Sequence, residues 1–326
     1  MIRVNGNVRH SGWPTIKQSQ EMLEENNVKT NSFRAWLLAA RPKTLTGAAV
    51  PVMIGAALTI ADHGWQIGWL PCVLCFLFAF IMQIDANFVN DYFDFVRGND
   101  DAATRLGPLR ACSMGWVTAS AMRKALVITT ALGCAVGLPL VVFGGFEMIL
   151  VGAVCVLFCF LYTTKLSYLG LGDLLVLVFF GIVPVCLTYY LCLPEESSRT
   201  VTLSVFLSSL ACGFVIDTLL LINNNRDIDN DRRDGKMTLV VRVGHRGGEM
   251  LYLLSGIVAL LLNMVFIVEG HFWAFLLPLI VYLPLHTLAF THLLKIDHGR
   301  ELNKVLGETA RNMFLFGVTT SVGLIL

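Results

Sequence analysis

Charge is what this sequence has least of. Of its 326 residues only 14% are Asp, Glu, Lys or Arg, while 56% are hydrophobic. A soluble globular domain is about 25% charged, so that class is excluded. Several common chemistries lack their motifs as well. No G-x-x-x-x-G-K-[ST] phosphate loop occurs, and "GLGD" at Gly170–Asp173 lacks the third glycine and the strand–helix setting of a dinucleotide fold. The seven histidines show no zinc spacing; His286 and His292 are six positions apart and point to different faces of a helix. The nine cysteines form no extracellular framework, and the C-x-x-C of Cys72 and Cys75 sits inside an apolar run without a second pair, which marks them as small apolar filler. With a net charge of +1, no nucleic-acid partner is expected.

What the sequence has instead is apolar runs close to 20 residues, the length at which a helix crosses a bilayer core. Nine are expected, at about 35–61, 67–89, 120–143, 146–163, 171–192, 200–222, 250–268, 272–292 and 308–326. Charge placement tests the count. With nine spans, 23 of the 24 Lys and Arg fall on one side of the membrane and Arg199 alone on the other. Basic residues mark the cytoplasmic face, so the expected topology has the amino terminus inside and the carboxyl terminus outside. Residues 1–31 are polar, show no signal peptide, and are expected to form a mobile arm or surface helix ahead of a membrane domain over 32–326.

Against this background two polar clusters stand out. "QIDANFVNDYFDFVRGNDD" (Gln83 to Asp101) ends the second span, and "NNNRDIDNDRRDGK" (Asn223 to Lys236) ends the sixth. Both fall on the cytoplasmic side of the expected topology. At about 100° per residue, Gln83, Asn87, Asn90, Asp91 and Asp94 share one helix face. Asn223, Asn224, Asp227 and Asp231 share another with Asp217, while Asp229 points away. Such a stripe cannot face lipid, because an ionised Asp at the bilayer centre costs about 2.5–3.5 kcal/mol on insertion scales. Asp100, Asp101, Asp229 and Asp234 read equally well as solvated loop acids. Asp85 lies off the stripe and fits a structural hydrogen bond as well as a role in the site.

Carboxylates and amides at these spacings suit a hard cation. Mg²⁺ takes one or two carboxylates and completes its shell with water and phosphate oxygens. Two Mg²⁺ with a diphosphate would settle the charge of the facing acids. Lys43, Arg97, Arg105, Arg110, Arg226, Arg232, Arg233 and Lys236 are the nearby cations available for phosphate.

These strings resemble the UbiA-type intramembrane prenyltransferases, and within them the subgroup acting on 1,4-dihydroxy-2-naphthoate. The resemblance rests on "RPKTL" at Arg41–Leu45, "NDYFD" at Asn90–Asp94, "GND" at Gly98–Asp100, "RLGPLR" at Arg105–Arg110, "GLGD", and the long string from Asn223 to Gly244. The family's N-x-x-x-D-x-x-x-D motif is met at Asn90 and Asp94 but has Gly98 in third place, with the next acid at Asp100; its D-x-x-x-D motif is met at Asp227 and Asp231. The resemblance implies an all-α fold of nine transmembrane helices around a central cavity, Mg²⁺ dependence, and a polyprenyl tail lying between helices. It implies metal binding by Asn90, Asp91, Asp94, Asp100, Asp227 and Asp231, and transfer of a polyprenyl chain from its diphosphate to the carboxylate-bearing carbon of the naphthoate with loss of CO₂. Lys43, Asn87, Arg105, Arg110, Asn223, Asn224, Arg226 and Lys236 are the expected substrate-binding residues. Tyr162 and Lys165 lie on the same membrane face and either position the aromatic acceptor or serve as an interfacial Tyr and a snorkelling Lys.

An ion-coupled transporter is the rival class, since transporters also carry intramembrane acids. Their acids sit near the midplane on broken helices. Here both clusters end their helices at one interface, which favours chemistry on a substrate delivered at the cytoplasmic edge.

Overall fold

The computed structural model describes residues 28–98 and 105–326. Most of the expected polar arm, together with Asp100 and Asp101, lies outside the described residues. Every regular element among the described residues is helical. Eight helices are long and apolar enough to cross a membrane: α1 (Phe33–His63), α2 (Trp69–Arg97), α3 (Ala119–Gly144), α4 (Glu147–Leu166), α5 (Gly172–Cys192), α6 (Leu203–Arg233), α7 (His245–Val268) and α8 (Phe272–Ile296). The ninth expected span is present as a 24-residue helix, α9 (Leu302–Ile325). Its first turns carry Asn303, Lys304, Glu308 and Arg311, so by composition it falls short of the other eight.

Two departures from the expected boundaries matter for function. The second and sixth spans do not end where their apolar runs end; α2 continues to Arg97 and α6 to Arg233. Both polar clusters are therefore largely helical and rigidly placed. Helix α2 stops at Gly98, which takes a left-handed conformation (φ 74°) and caps Asp94 and Phe95 through its amide. The third feature is a break in α1. Pro42 disfavours helical backbone at the residue before it. Arg41 accordingly adopts a left-handed φ of 51° and the chain makes one tight turn, Pro42–Thr44, before the helix resumes.

Helix α6 is the hub, with buried residues along its length from Ser204 to Asp231. Val50 and Ile54 of α1, Val185 and Tyr189 of α5, and Phe316 of α9 join Val215 and Ile216 of α6 in the largest apolar cluster. Small residues allow close approach there. A Cβ on Gly181 would lie 2.6 Å from the Ser209 carbonyl and 2.8 Å from Gly213 Cα, so Gly181 admits no side chain. Helices α3 and α4 are peripheral: Val142 is 84% and Leu150 69% exposed, as suits a lipid-facing surface. Buried Asp85 accepts hydrogen bonds from the hydroxyls of Thr129 and, at 2.9 Å, Thr130, so its task is to tie α2 to α3. His286 is likewise a core residue, packed on Gly256 and within 3.2 Å of the Leu253 carbonyl. All nine cysteines are free thiols.

Candidate active site

The polar stripe of α2 divides its work. Asn87 donates to the Ala40 carbonyl at 3.0 Å and to Thr44 Oγ1 at 2.9 Å, holding the α1 break in place. Gln83 reaches the same hydroxyl at 3.5 Å. Asn90 accepts from the Thr163 hydroxyl of α4, and Asp94 pairs with the Arg110 guanidinium. Asp91, expected among the metal ligands, has both carboxylate oxygens engaged by backbone amides. It is fully buried, and its two oxygens accept the amides of Ala111 and Cys112 at 2.8 and 2.9 Å. A carboxylate occupied in this way anchors a loop. At the edge of the α2 stripe, its helical position could not distinguish the two tasks.

The loop that Asp91 anchors crosses the end of the bundle. Arg105 folds back on it, donating from Nε to the Pro108 carbonyl at 2.6 Å. Arg300 donates to the Arg105 carbonyl at 2.8 Å, and Asn303 of α9 to the Leu106 carbonyl at 2.8 Å. Gly107 faces α6 so closely that a Cβ would lie 2.7 Å from Arg226 Nη2. Arg226, itself buried, forks onto the neighbouring Asp227 at 3.0 and 2.6 Å and donates to Asn303 Oδ1 at 2.8 Å. Thus an unbroken series of contacts runs from Asp94 through Arg110, the 105–112 loop and Arg226 to Asp227. The two clusters are at the same end of the molecule and share one layer.

One turn beyond, Asp231 lies 3.5 Å from Lys236 Nζ and accepts the Lys236 amide on its carbonyl at 2.7 Å. Its Oδ2 is buried with no hydrogen-bond partner. Asp229 is 82% exposed on the outer face, where Arg232 is 3.9 Å away, and Asp234 pairs with Arg233. Arg97 donates to the Thr163 and Thr164 carbonyls and lies over the Tyr168 ring; it braces α4.

Below this layer lies a cavity of about 2000 Å³. Its polar end is lined by Arg41, Lys43, Asn87, Asn90, Asn223 and Lys304, and its depths by side chains such as Phe78, Met82, Phe158, Phe179 and Leu187. Asp94, Asp227 and Asp231 are not part of the wall in this structure, where cations hold them. Tyr162 is part of it. The residue opens a π-helical turn, Tyr162–Leu166, a geometry common at functional sites. Its ring and hydroxyl lie against the start of α5 at Gly172, and it also lines a small side cleft with Asp173 and Lys236. Lys165 is exposed and not among the cavity residues. Asn224 is buried and lines a small side cleft with Lys236.

The donor set suits a hard divalent ion. It consists of carboxylate and amide oxygens, and one of them, Asp231 Oδ2, is buried without a partner, which is costly unless a cation or proton meets it. Among the described residues, the one set of three His, Cys, Asp or Glu side chains with ligand atoms within 4.8 Å of one another is His245, Glu249 and Asp297, at the junction of α7 with the α8–α9 loop. It is not part of the cavity wall. Sequence patterning missed Arg300, Asn303 and Lys304, which bring α9 to the site. They lie outside both acidic clusters, and their only signal was a polar loop on the basic side.

With this geometry in hand, comparison with known proteins is informative. The sequence model of the UbiA prenyltransferase family matches residues 48–318. The 1,4-dihydroxy-2-naphthoate octaprenyltransferase of Escherichia coli is 38% identical over 267 residues, covering 76% of this chain and 83% of that one. The protein of the same name from Mycobacterium tuberculosis is 33% identical over 294 residues, covering 89% and 96%. Among solved structures, a UbiA homolog from Aeropyrum pernix superposes with a TM-score of 0.65 at 14% identity, covering 87% of this chain and 98% of that one. The chain belongs to the UbiA prenyltransferase family and is a multi-pass membrane enzyme that transfers prenyl groups.

Proposed function

We propose that this prenyltransferase moves a polyprenyl chain from polyprenyl diphosphate to 1,4-dihydroxy-2-naphthoate, releasing diphosphate and CO₂ and giving demethylmenaquinone. The observation that carries the reading is the meeting of both Asp clusters and their basic partners over one end of a long apolar cavity. The aromatic acceptor follows from the names of the relatives. Residues 32–326 form the catalytic domain, and the site opens to the cytoplasmic side of a bacterial inner membrane, with the amino terminus inside and the carboxyl terminus outside.

Asn90, Asp94, Asp227 and Asp231 would hold two Mg²⁺; Asp100, also expected as a ligand, lies outside the described residues. Bound there, magnesium supplies positive charge that offsets the charge growing on the diphosphate as the allylic C–O bond opens. Arg110 and Arg226 now neutralise Asp94 and Asp227, and in the presence of substrate they turn their guanidinium donors to phosphate oxygens. Lys43 and Lys236 add charge from the cavity lip and from beside Asp231. Arg105 and Asn303 keep the covering loop in register, which orients Arg110. The apolar walls hold the tail and keep water from the allylic cation. Asn87 and Asn223 line the polar end where the acceptor must lie, with Asn224 in the side cleft beyond it, and Tyr162 presents its hydroxyl to the acceptor.

The test is turnover by purified protein in detergent. With polyprenyl diphosphate, Mg²⁺ and the dihydroxynaphthoate together, it should form the prenylated product and one CO₂ per diphosphate. Omitting any one of them should stop product formation. Faster turnover of 4-hydroxybenzoate offered in the same mixture would overturn the acceptor assignment, and solute flux without chemistry would overturn the reaction.

A further inference from the structure

One buried acid near the site has no part in the mechanism so far. Asp173, the last residue of "GLGD", opens α5 and is 8% exposed, yet neither of its carboxylate oxygens receives a hydrogen bond from another residue. A buried carboxylate in that condition is expensive to keep. Its surroundings show what it faces. Asp173 lines a side cleft with Tyr162, Ser167, Gly172, Asn224, Lys236 and Thr238. The cleft offers only about 10 Å³, room for no more than a single water, so no organic ligand fits. Tyr162 lines both this cleft and the main cavity. Its hydroxyl lies against the α5 start, 3.7 Å from where a Cβ on Gly172 would be. Asp217 of α6 is also buried, and its Oδ1 is likewise unpartnered. The titratable groups facing Asp173 are therefore Tyr162 of α4, Asp217 of α6, and Lys236 beyond α6, with Asp231 behind Lys236 at 3.5 Å.

We propose that Asp173 is the proton acceptor for the aromatic substrate, working through Tyr162, with the substrate on the cavity side and Asp173 on the cleft side. This rests on the reading that the acceptor is a hydroxyarene carboxylate. Such a ring attacks carbon well only as its hydroxyl loses a proton. Tyr162 takes the hydroxyl proton while passing its own to the Asp173 carboxylate, directly or through the cleft water. The ring carbon bearing the carboxylate forms its bond to the allylic carbon, and diphosphate leaves with the C–O electron pair. The ring oxygen is then a ketone beside a carboxylate-bearing carbon. Breaking the C–CO₂ bond releases CO₂ and returns the electron pair to the ring as an enolate. The proton held on Asp173 comes back through Tyr162 to that oxygen and restores the hydroxyl. No proton is gained or lost overall.

The experiment is a pH–rate profile of Asp173→Asn in detergent, with Mg²⁺, polyprenyl diphosphate and the dihydroxynaphthoate. The variant should lose about 10²-fold or more in kcat near neutral pH, and the deficit should shrink as pH rises and solvent ionises the hydroxyl. Asp173→Glu should recover part of the rate, and affinity for the diphosphate substrate should not change. A variant with wild-type kcat and an unchanged profile overturns the proposal; so does a loss of rate that is the same at every pH. Should Asp173→Asn fail to fold, Tyr162→Phe must show the same pH-dependent loss, and its absence counts equally against the relay. Wild-type protein that does not turn over the dihydroxynaphthoate at all would instead strike the proposed function.

Discussion

Replacing Asp91 by alanine separates a structural task from a chemical one within five consecutive residues. Asp91 is fully buried, and its carboxylate accepts the amides of Ala111 and Cys112, both themselves buried. Removing the carboxylate leaves two buried backbone N–H groups without their acceptors. A hydrogen bond to a charged group contributes about 1.5–3 kcal/mol, so the pair is worth about 3–6 kcal/mol to the closed 105–112 loop. At about 1.4 kcal/mol per tenfold, opening of that loop becomes roughly 10²- to 10⁴-fold more frequent. Amide hydrogen exchange at Ala111 and Cys112 reads this directly, in protein free of Mg²⁺ and substrate. Turnover falls as well, because Arg110 loses its support. If instead exchange at both amides is unchanged without Mg²⁺ while Mg²⁺-dependent substrate affinity disappears, Asp91 is a metal ligand and the division of labour along α2 is wrong.

Other outcomes follow from the same geometry. Asp94→Ala and Asp227→Ala should each abolish turnover yet leave exchange at Ala111 and Cys112, and the melting temperature, close to wild type, since both carboxylates are partly exposed. Gly107→Ala puts a Cβ 2.7 Å from Arg226 Nη2, and the shift of about 1 Å that relieves this contact beside the site should lower kcat by about 10²-fold with little change in expression. Arg199→Ala should leave kcat and KM alone; its guanidinium lies over Tyr190, far along the chain from either cluster.

The helical order of the chain was legible in its apolar runs, and the placing of both clusters at one end in the positions of those runs. The stripe on α2 and the face of α6 came from helical periodicity, and Asp229 falls outside as that periodicity requires. What periodicity does not carry is which partner a carboxylate meets. Asp85, Asp91 and Asp94 look alike in sequence; one meets threonine hydroxyls, one backbone amides, and one an arginine, each from a different and distant segment. Asn303 and Arg300 were invisible for the same reason, because their contribution depends on α9 docking against the 105–112 loop. Asp173 carried a motif but no local hint of burial. The weak ninth span illustrates a further limit: α9 is a full-length helix whose polar first turns serve the site, so apolar composition understates it.

The central claim is that Asp94 and Asp227, on different helices, grip one diphosphate together. Titration of an unreactive thiolo analogue of polyprenyl diphosphate, with and without Mg²⁺, tests it. Asp94→Asn and Asp227→Asn should each remove the Mg²⁺-dependent gain in affinity, and the double variant should bind no more weakly than either single one. Retention of that gain in either single variant, or strictly additive losses in the double, would contradict a shared site.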